Sequence, residues 1–147
     1  MMNTEKLNVI LIGDNIETQI VFKNALSKLG KLCQIGDYFS IDKAVANPGK
    51  FSLENPHIIF LDTNKNATDC SNDVKKIRDW EPFKKCSLVV YDSNSQLRDT
   101  AAIFSEGADV FINKPYDFPR LKKVIGNILS TDWNVNRSNV NRINYFL

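Results

Sequence analysis

The sequence predicts an α/β domain: an open, doubly wound parallel sheet of five strands with helices on both faces. Three observations predict it. Short unbroken apolar runs recur along the chain, as strands buried on both faces require. Each run is followed by apolar residues at helical spacing, so strand and helix alternate. Several runs end in Asp or Lys, at the carboxyl ends where such sheets bind their ligands.

The first strand is Leu7 to Ile12, closed by Gly13-Asp14-Asn15. Asp14 or Asn15 can cap the following helix, Glu17 suits its first turn, and Val21, Phe22, Ala25, Leu26 and Leu29 repeat at helical spacing up to Gly30. Leu32 to Asp37 is a weaker strand. Ser40 then starts a short helix with Ile41, Ala44 and Val45, which Asn47-Pro48-Gly49 stops. The third strand, Ile58-Ile59-Phe60-Leu61, ends in Asp62, and Asn64 to Ser71 reads as polar loop. Asp73 to Trp80 is helical with Val74, Ile77 and Trp80 on one side, and Glu81-Pro82 ends it. Ser87 to Tyr91 is the fourth strand, leading into Asp92-Ser93-Asn94. Leu97, Ala101, Phe104 and Ala108 form the next stripe, with Gly107 as its stop. Asp109 to Ile112 is the fifth strand, ending in Asn113-Lys114-Pro115. Asp117 caps a last helix with Leu121, Val124, Ile125 and Ile128 inward.

The 147 residues fit one domain, 1–130, followed by a tail, 131–147, too short to be a second. The tail carries Trp133, Val135, Val140, Ile143, Tyr145, Phe146 and Leu147. That is too apolar for an indifferent end, and it is expected to pack on the domain or on another copy, which leaves a homodimer open. A hydrophobic content of 43% and a net charge of +2, with Lys and Arg scattered, argue against nucleic acid. No apolar run reaches membrane-spanning length and the amino terminus lacks a signal-peptide core, so the cytoplasm is the expected location. Cys33, Cys70 and Cys86 have no metal or redox spacing and are expected as reduced thiols. His57, at the far end of its strand from Asp62, is given no catalytic role.

The strand ends bring Asp14, Asp62, Asp92 and Lys114 to one edge of the sheet. Two carboxylates with a backbone carbonyl suit a hard divalent ion such as Mg2+. A carboxylate can also act as a nucleophile toward phosphorus, and a neighbouring ammonium can hold a phosphoryl oxygen.

Taken jointly, the strand ending in Asp14, the run Ile58-Ile59-Phe60-Leu61-Asp62, the segment Glu106-Gly107-Ala108-Asp109-Val110-Phe111-Ile112 and Lys114-Pro115-Tyr116 resemble the receiver domain of two-component response regulators, over residues 7–130. The resemblance implies a flavodoxin-like strand order 2-1-3-4-5 and a cytoplasmic signalling protein that is not an enzyme beyond self-phosphorylation and autodephosphorylation. It implies Asp62 as acceptor of a phosphoryl group from a histidine kinase or histidine phosphotransfer protein. Asp14, Asp62 and the main-chain oxygen of Asn64 would hold Mg2+, Lys114 would pair with the phosphoryl group, and Phe111 would stand at the aromatic switch. It also implies a cis Lys114-Pro115 bond and a downstream protein partner on the last two helices and the fifth strand.

Some residues depart from the pattern. Gly13 replaces the first acid of a pair, Lys65-Asn66 replaces Met-Pro, Cys70 stands at a frequent Gly, and Phe111 lacks the hydroxyl of the common Tyr. Asp92 falls where the family places the Thr or Ser that bonds the phosphoryl oxygen. A carboxylate at about 5 Å from the phosphoryl group, at an effective dielectric near 20, costs on the order of 3 kcal/mol per pair of unit charges. Either Asp92 turns outward and Ser93 supplies the hydroxyl, or Asp92 stays protonated. Gly13 and Asp92 motivate an alternative, a pseudo-receiver that binds proteins without being phosphorylated. A flavodoxin-like cofactor binder or small hydrolase ranks last, because no Gly-rich phosphate loop and no nucleophile elbow is present.

Overall fold

Both faces of the sheet are covered, and that is why its strands are apolar without alternation. The structure, a computed structural model, describes residues 7–28, 33–46, 56–63, 67–92, 100–113, 118–130 and 143–146. The strands are β1 (Leu7–Ile12), β2 (Cys33–Tyr38), β3 (Ile58–Thr63), β4 (Ser87–Asp92), β5 (Val110–Asn113) and β6 (Ile143–Phe146). The helices are α1 (Ile16–Ser27), α2 (Ile41–Ala46), α3 (Ala67–Asp79), α4 (Ala101–Glu106) and α5 (Phe118–Ser130), with a 3-10 turn at Glu81–Phe83. All pairings are parallel, in the order β2-β1-β3-β4-β5-β6. The five expected strands thus take the expected order, and β6 adds to the free side of β5.

Strand alternation divides the core in two. Ile10, Ile12, Ile59, Leu61, Leu88, Val90 and Phe111 pack with residues of α2, α3 and α4. Val9, Leu11, Phe60, Val89, Tyr91 and Ile112 pack with α1 and α5. On that second side the Phe22 ring lies 5.1 Å from Phe60 and 5.0 Å, edge-on, from Tyr91. Each such side chain contributes about 1.5–3 kcal/mol by leaving water.

Several boundaries differ from those read in the sequence. Helix α3 starts at Ala67, inside the expected loop, because Cys70 is fully buried and extends the Val74 and Ile77 stripe by one turn. Its polar neighbours Thr68, Asp69 and Ser71 hide that stripe in the sequence. In α4 the buried residues are Ile103 and Phe104, while Ala101 is exposed. Strand β5 begins one residue later than expected, and Leu32, the expected start of β2, lies outside the described residues. Leu29, Gly30, Leu97 and Asp117 lie outside the described residues. Cys70 and Cys86 are buried and in no disulfide among the described residues. Exposed His57 braces the amino-terminal edge: its Nδ1 accepts from Asn8 N at 2.9 Å. Among the described residues no helix is long and apolar enough to cross a membrane.

A buried ion pair ties the far end of the sheet. Arg78 of α3 reaches Asp109 at 2.8 Å, with side chains only 11% and 6% exposed. The guanidinium also donates to Gly107 O at 2.9 Å, Phe83 O at 2.9 Å and Cys86 O at 2.7 Å. The same Asp109 oxygen accepts from Leu88 N at 2.9 Å. Asp109 therefore precedes β5 rather than joining it. Gly107 closes α4 at a φ of 123°, where a Cβ would stand 2.7 Å from Arg78 Cγ.

Candidate functional site

The site grows from the carboxyl ends of β1 and β3. After β1, Gly13 N donates to Tyr38 O at 3.0 Å, and Gln19 Nε2 of α1 donates to Gly13 O at 3.2 Å, which fixes the turn from both sides. Asn15 Oδ1 accepts from Thr18 N at 3.1 Å and so caps α1. Of the two candidate caps, Asn15 fills the role, and Asp14 stands exposed at the mouth of a cavity of about 180 Å³. Half-buried Asp62 lines the same cavity from the end of β3. Phe39, Ser40 and Asp42 line it from the start of α2, Asp73 and Lys76 from α3. Ser40 Oγ accepts from Lys43 N at 3.2 Å and orders the first turn of α2 there. Burial pushes the Tyr38 phenol, just before Phe39, above its ordinary pKa.

Asp42, Asp73 and Lys76 were not among the residues singled out from the sequence. Their signal lies in α3: once the helix starts at Ala67, Asp69, Asp73 and Lys76 form a polar stripe beside the buried one. Lys76 gives the cavity a cation of its own.

The absence of an acid at residue 13 has a steric side. A Cβ on Gly13 would lie 2.8 Å from Asp62 Cβ and 3.4 Å from Asp62 Oδ2. The first atom is fixed close to the β3 backbone and cannot swing aside. Gly13→Ala is expected to cost about 1–3 kcal/mol, the range for overpacking, and to push the Asp62 carboxylate off its place. Thermal unfolding of the variant checks this: lower stability is expected, although alanine adds no charge.

The remaining candidates are placed as follows. Asp92 ends β4 level with Thr63 on one side and Asn113 on the other. It is 0% exposed, so it does not turn outward to solvent, and it is not among the residues lining the cavity. Asn113 Oδ1 is buried without a hydrogen-bond partner among the described residues. Phe111 is fully buried in the core beside Ile103 and Phe104 of α4. Lys114, Asn64, Ser93 and the Lys114-Pro115 bond lie outside the described residues. The structure therefore brings Asp14 and Asp62 together and sets Asp92 on the adjoining strand.

Among the described residues no group of three or more His, Cys, Asp or Glu side chains could hold a metal ion by itself. A magnesium ion needs only one or two protein carboxylates and fills its shell with water and ligand oxygens. Asp14 and Asp62 offer oxygen alone, with no thiol or imidazole in the cavity, and that donor set fits.

No family model matches the sequence, and no curated protein matches it. Solved structures do. The phosphorylated cyanobacterial phytochrome response regulator RcpA superposes with a TM-score of 0.71 at 20% identity, over 87% of this chain and 97% of that one. A response regulator from Thermotoga maritima gives 0.67 at 21% identity, over 86% and 100%. The chemotaxis response regulator CheY4 of Vibrio cholerae gives 0.65 at 16% identity, over 84% and 99%. The fold is that of response-regulator receiver domains.

Proposed function

We propose that the chain is a signalling receiver that accepts a phosphoryl group on Asp62. One observation carries this reading: Asp62, at the carboxyl end of the central strand of a receiver fold, shares a single cavity with Asp14. In the transfer, an Asp62 carboxylate oxygen forms a bond to phosphorus as the bond to the donor breaks, and the leaving group departs with its electron pair. Bound Mg2+, held by Asp14, Asp62 and the main-chain oxygen of Asn64, would offset the charge of the phosphoryl group. Lys114 would pair with one of its oxygens, and Lys76 adds positive charge to the same cavity. Phosphorylation would then shift an equilibrium between two surface conformations, with Phe111 at the buried hinge between β5 and α4.

The donor is a phosphorylated histidine kinase or histidine phosphotransfer protein. Three large apolar side chains are exposed near the cavity: Ile16 at 70%, Ile20 at 52% and Phe39 at 63%. Ile16 and Ile20 lie one turn apart on α1, which begins just after Asp14, and Phe39 lines the cavity itself. They support a protein docking over the mouth of the site. Ile20→Lys is expected to slow transfer from such a donor by about tenfold, the loss of roughly one buried aliphatic side chain. Uptake from acetyl phosphate should not change, and comparing the two rates checks this.

Two observations favour a second reading, the pseudo-receiver. Residue 13 has no room for the second acid, and Asp92 puts a buried carboxylate on the strand next to Asp62. Incubation with Mg2+ and acetyl phosphate separates the two. A mass gain of one phosphoryl group supports the receiver. No gain, with no Mg2+ affinity, supports the phosphorylation-independent binding module.

A further inference from the structure

Four carboxylates line the cavity at the end of β3, those of Asp14, Asp42, Asp62 and Asp73, and Lys76 is the only cation among the described residues that line it. A magnesium ion uses one or two protein carboxylates, so Asp14 and Asp62 are enough to hold it. Asp42 and Asp73 then remain as surplus negative charge beside the place where an anionic phosphoryl donor must arrive. Lys76 stands one turn beyond Asp73 on α3, the spacing at which two helical side chains share a face. Among the described residues its ammonium is tied into no ion pair, whereas Lys23 is held by Asp37 and Lys84 by Glu81. The exposed Lys76 also lines a second hollow along α3, together with Asp69, Asp73 and Asp79. Its flexible four-carbon stem lets the ammonium serve either hollow.

We propose that Lys76 is the internal counter-charge of the cavity: it weakens the hold on Mg2+ and favours the anionic phosphoryl donor. The inference rests on the receiver reading of Asp62. An ammonium repels a dication that shares its carboxylates, and it attracts a phosphoryl oxygen. The two effects have opposite signs, which a purely structural role of Lys76 would not produce. They fade together as salt rises, because an exposed charge acts through screened water.

The test compares the full chain with Lys76→Met, which removes the charge and keeps an unbranched apolar stem, and with Lys76→Arg, which keeps the charge. Lys76 is exposed on a helix, so both variants are expected to fold as the wild type does, with circular dichroism as the control. Calorimetric titration should show Lys76→Met binding Mg2+ about threefold more tightly, the size expected of one screened charge. Phosphoryl uptake from acetyl phosphate at saturating Mg2+ should be about threefold slower in the same variant. Lys76→Arg should match the wild type in both, and both differences should shrink at high salt. Suppose the wild type binds Mg2+ and gains a phosphoryl group, but Lys76→Met changes neither property or changes both in the same sense. That result overturns the role of Lys76 and leaves the receiver reading standing. A wild type that binds no Mg2+, or gains no phosphoryl group, overturns the receiver reading and this inference with it.

Discussion

Asp62→Asn is expected to abolish phosphoryl uptake from acetyl phosphate. The amide keeps the shape of the carboxylate, so the cavity it shares with Asp14 should hold its form. The amide nitrogen and oxygen are far weaker nucleophiles toward phosphorus than a carboxylate oxygen, so the loss would be chemical rather than structural. The measurement is intact mass after incubation with Mg2+ and the donor, with circular dichroism as the control for folding. The cavity makes this demanding, because Asp14, Asp42 and Asp73 line it too. If the variant still gains a phosphoryl group, one of those carboxylates is the acceptor and the assignment to Asp62 is wrong. If the wild type gains none and binds no Mg2+, the pseudo-receiver reading takes over. The buried carboxylate of Asp92 on the next strand would then be the physical obstacle.

Arg78→Ala should be the costliest change to stability, at about 3–5 kcal/mol, the range for removing one partner of a buried ion pair. That is a large share of the roughly 5–15 kcal/mol that holds a typical domain together. The reason lies in what is left behind. Asp109 would be left without its cation with its side chain only 6% exposed, and the carbonyls of Gly107, Phe83 and Cys86 would lose the guanidinium as a donor. Arg78→Lys should recover little, because one ammonium cannot span partners that lie in several directions. Asp109→Asn should cost less, since the amide oxygen can still accept from Leu88 N. Urea unfolding checks the series: the midpoint should fall in the order Asp109→Asn, Arg78→Lys, Arg78→Ala, with the slope unchanged. A loss below about 1 kcal/mol for Arg78→Ala would mean that water replaces the guanidinium and that the network holds nothing together.

The two ends of the sheet were unequally legible. The site end was readable because it is written in strand ends. Apolar runs closing in Asp14 and Asp62 place both carboxylates at one edge once the sheet is parallel, whatever the loops do. The Arg78 network at the other end could not be read, because its members lie far apart in sequence and four of its acceptors are backbone carbonyls with no residue signature. Asp42, Asp73 and Lys76 were hidden for a related reason. The start of α3 turns on whether Cys70 faces the core, and single-residue burial is a tertiary property.

By itself, the sequence determined the alternation of strand and helix, the two-sided burial of the sheet and the edge on which its carboxylates collect, while the order of the first five strands came from the resemblance to receiver domains. Hydrophobic period and the right-handed crossover are local or generic rules, so they survive without coordinates. Only the tertiary structure decided that Asp62 rests against Gly13 with no room for a Cβ, that Asp92 is buried, and that the tail pairs with β5. Each of these depends on which backbone atoms come within a few ångströms of each other, and that is set by packing between segments distant along the chain.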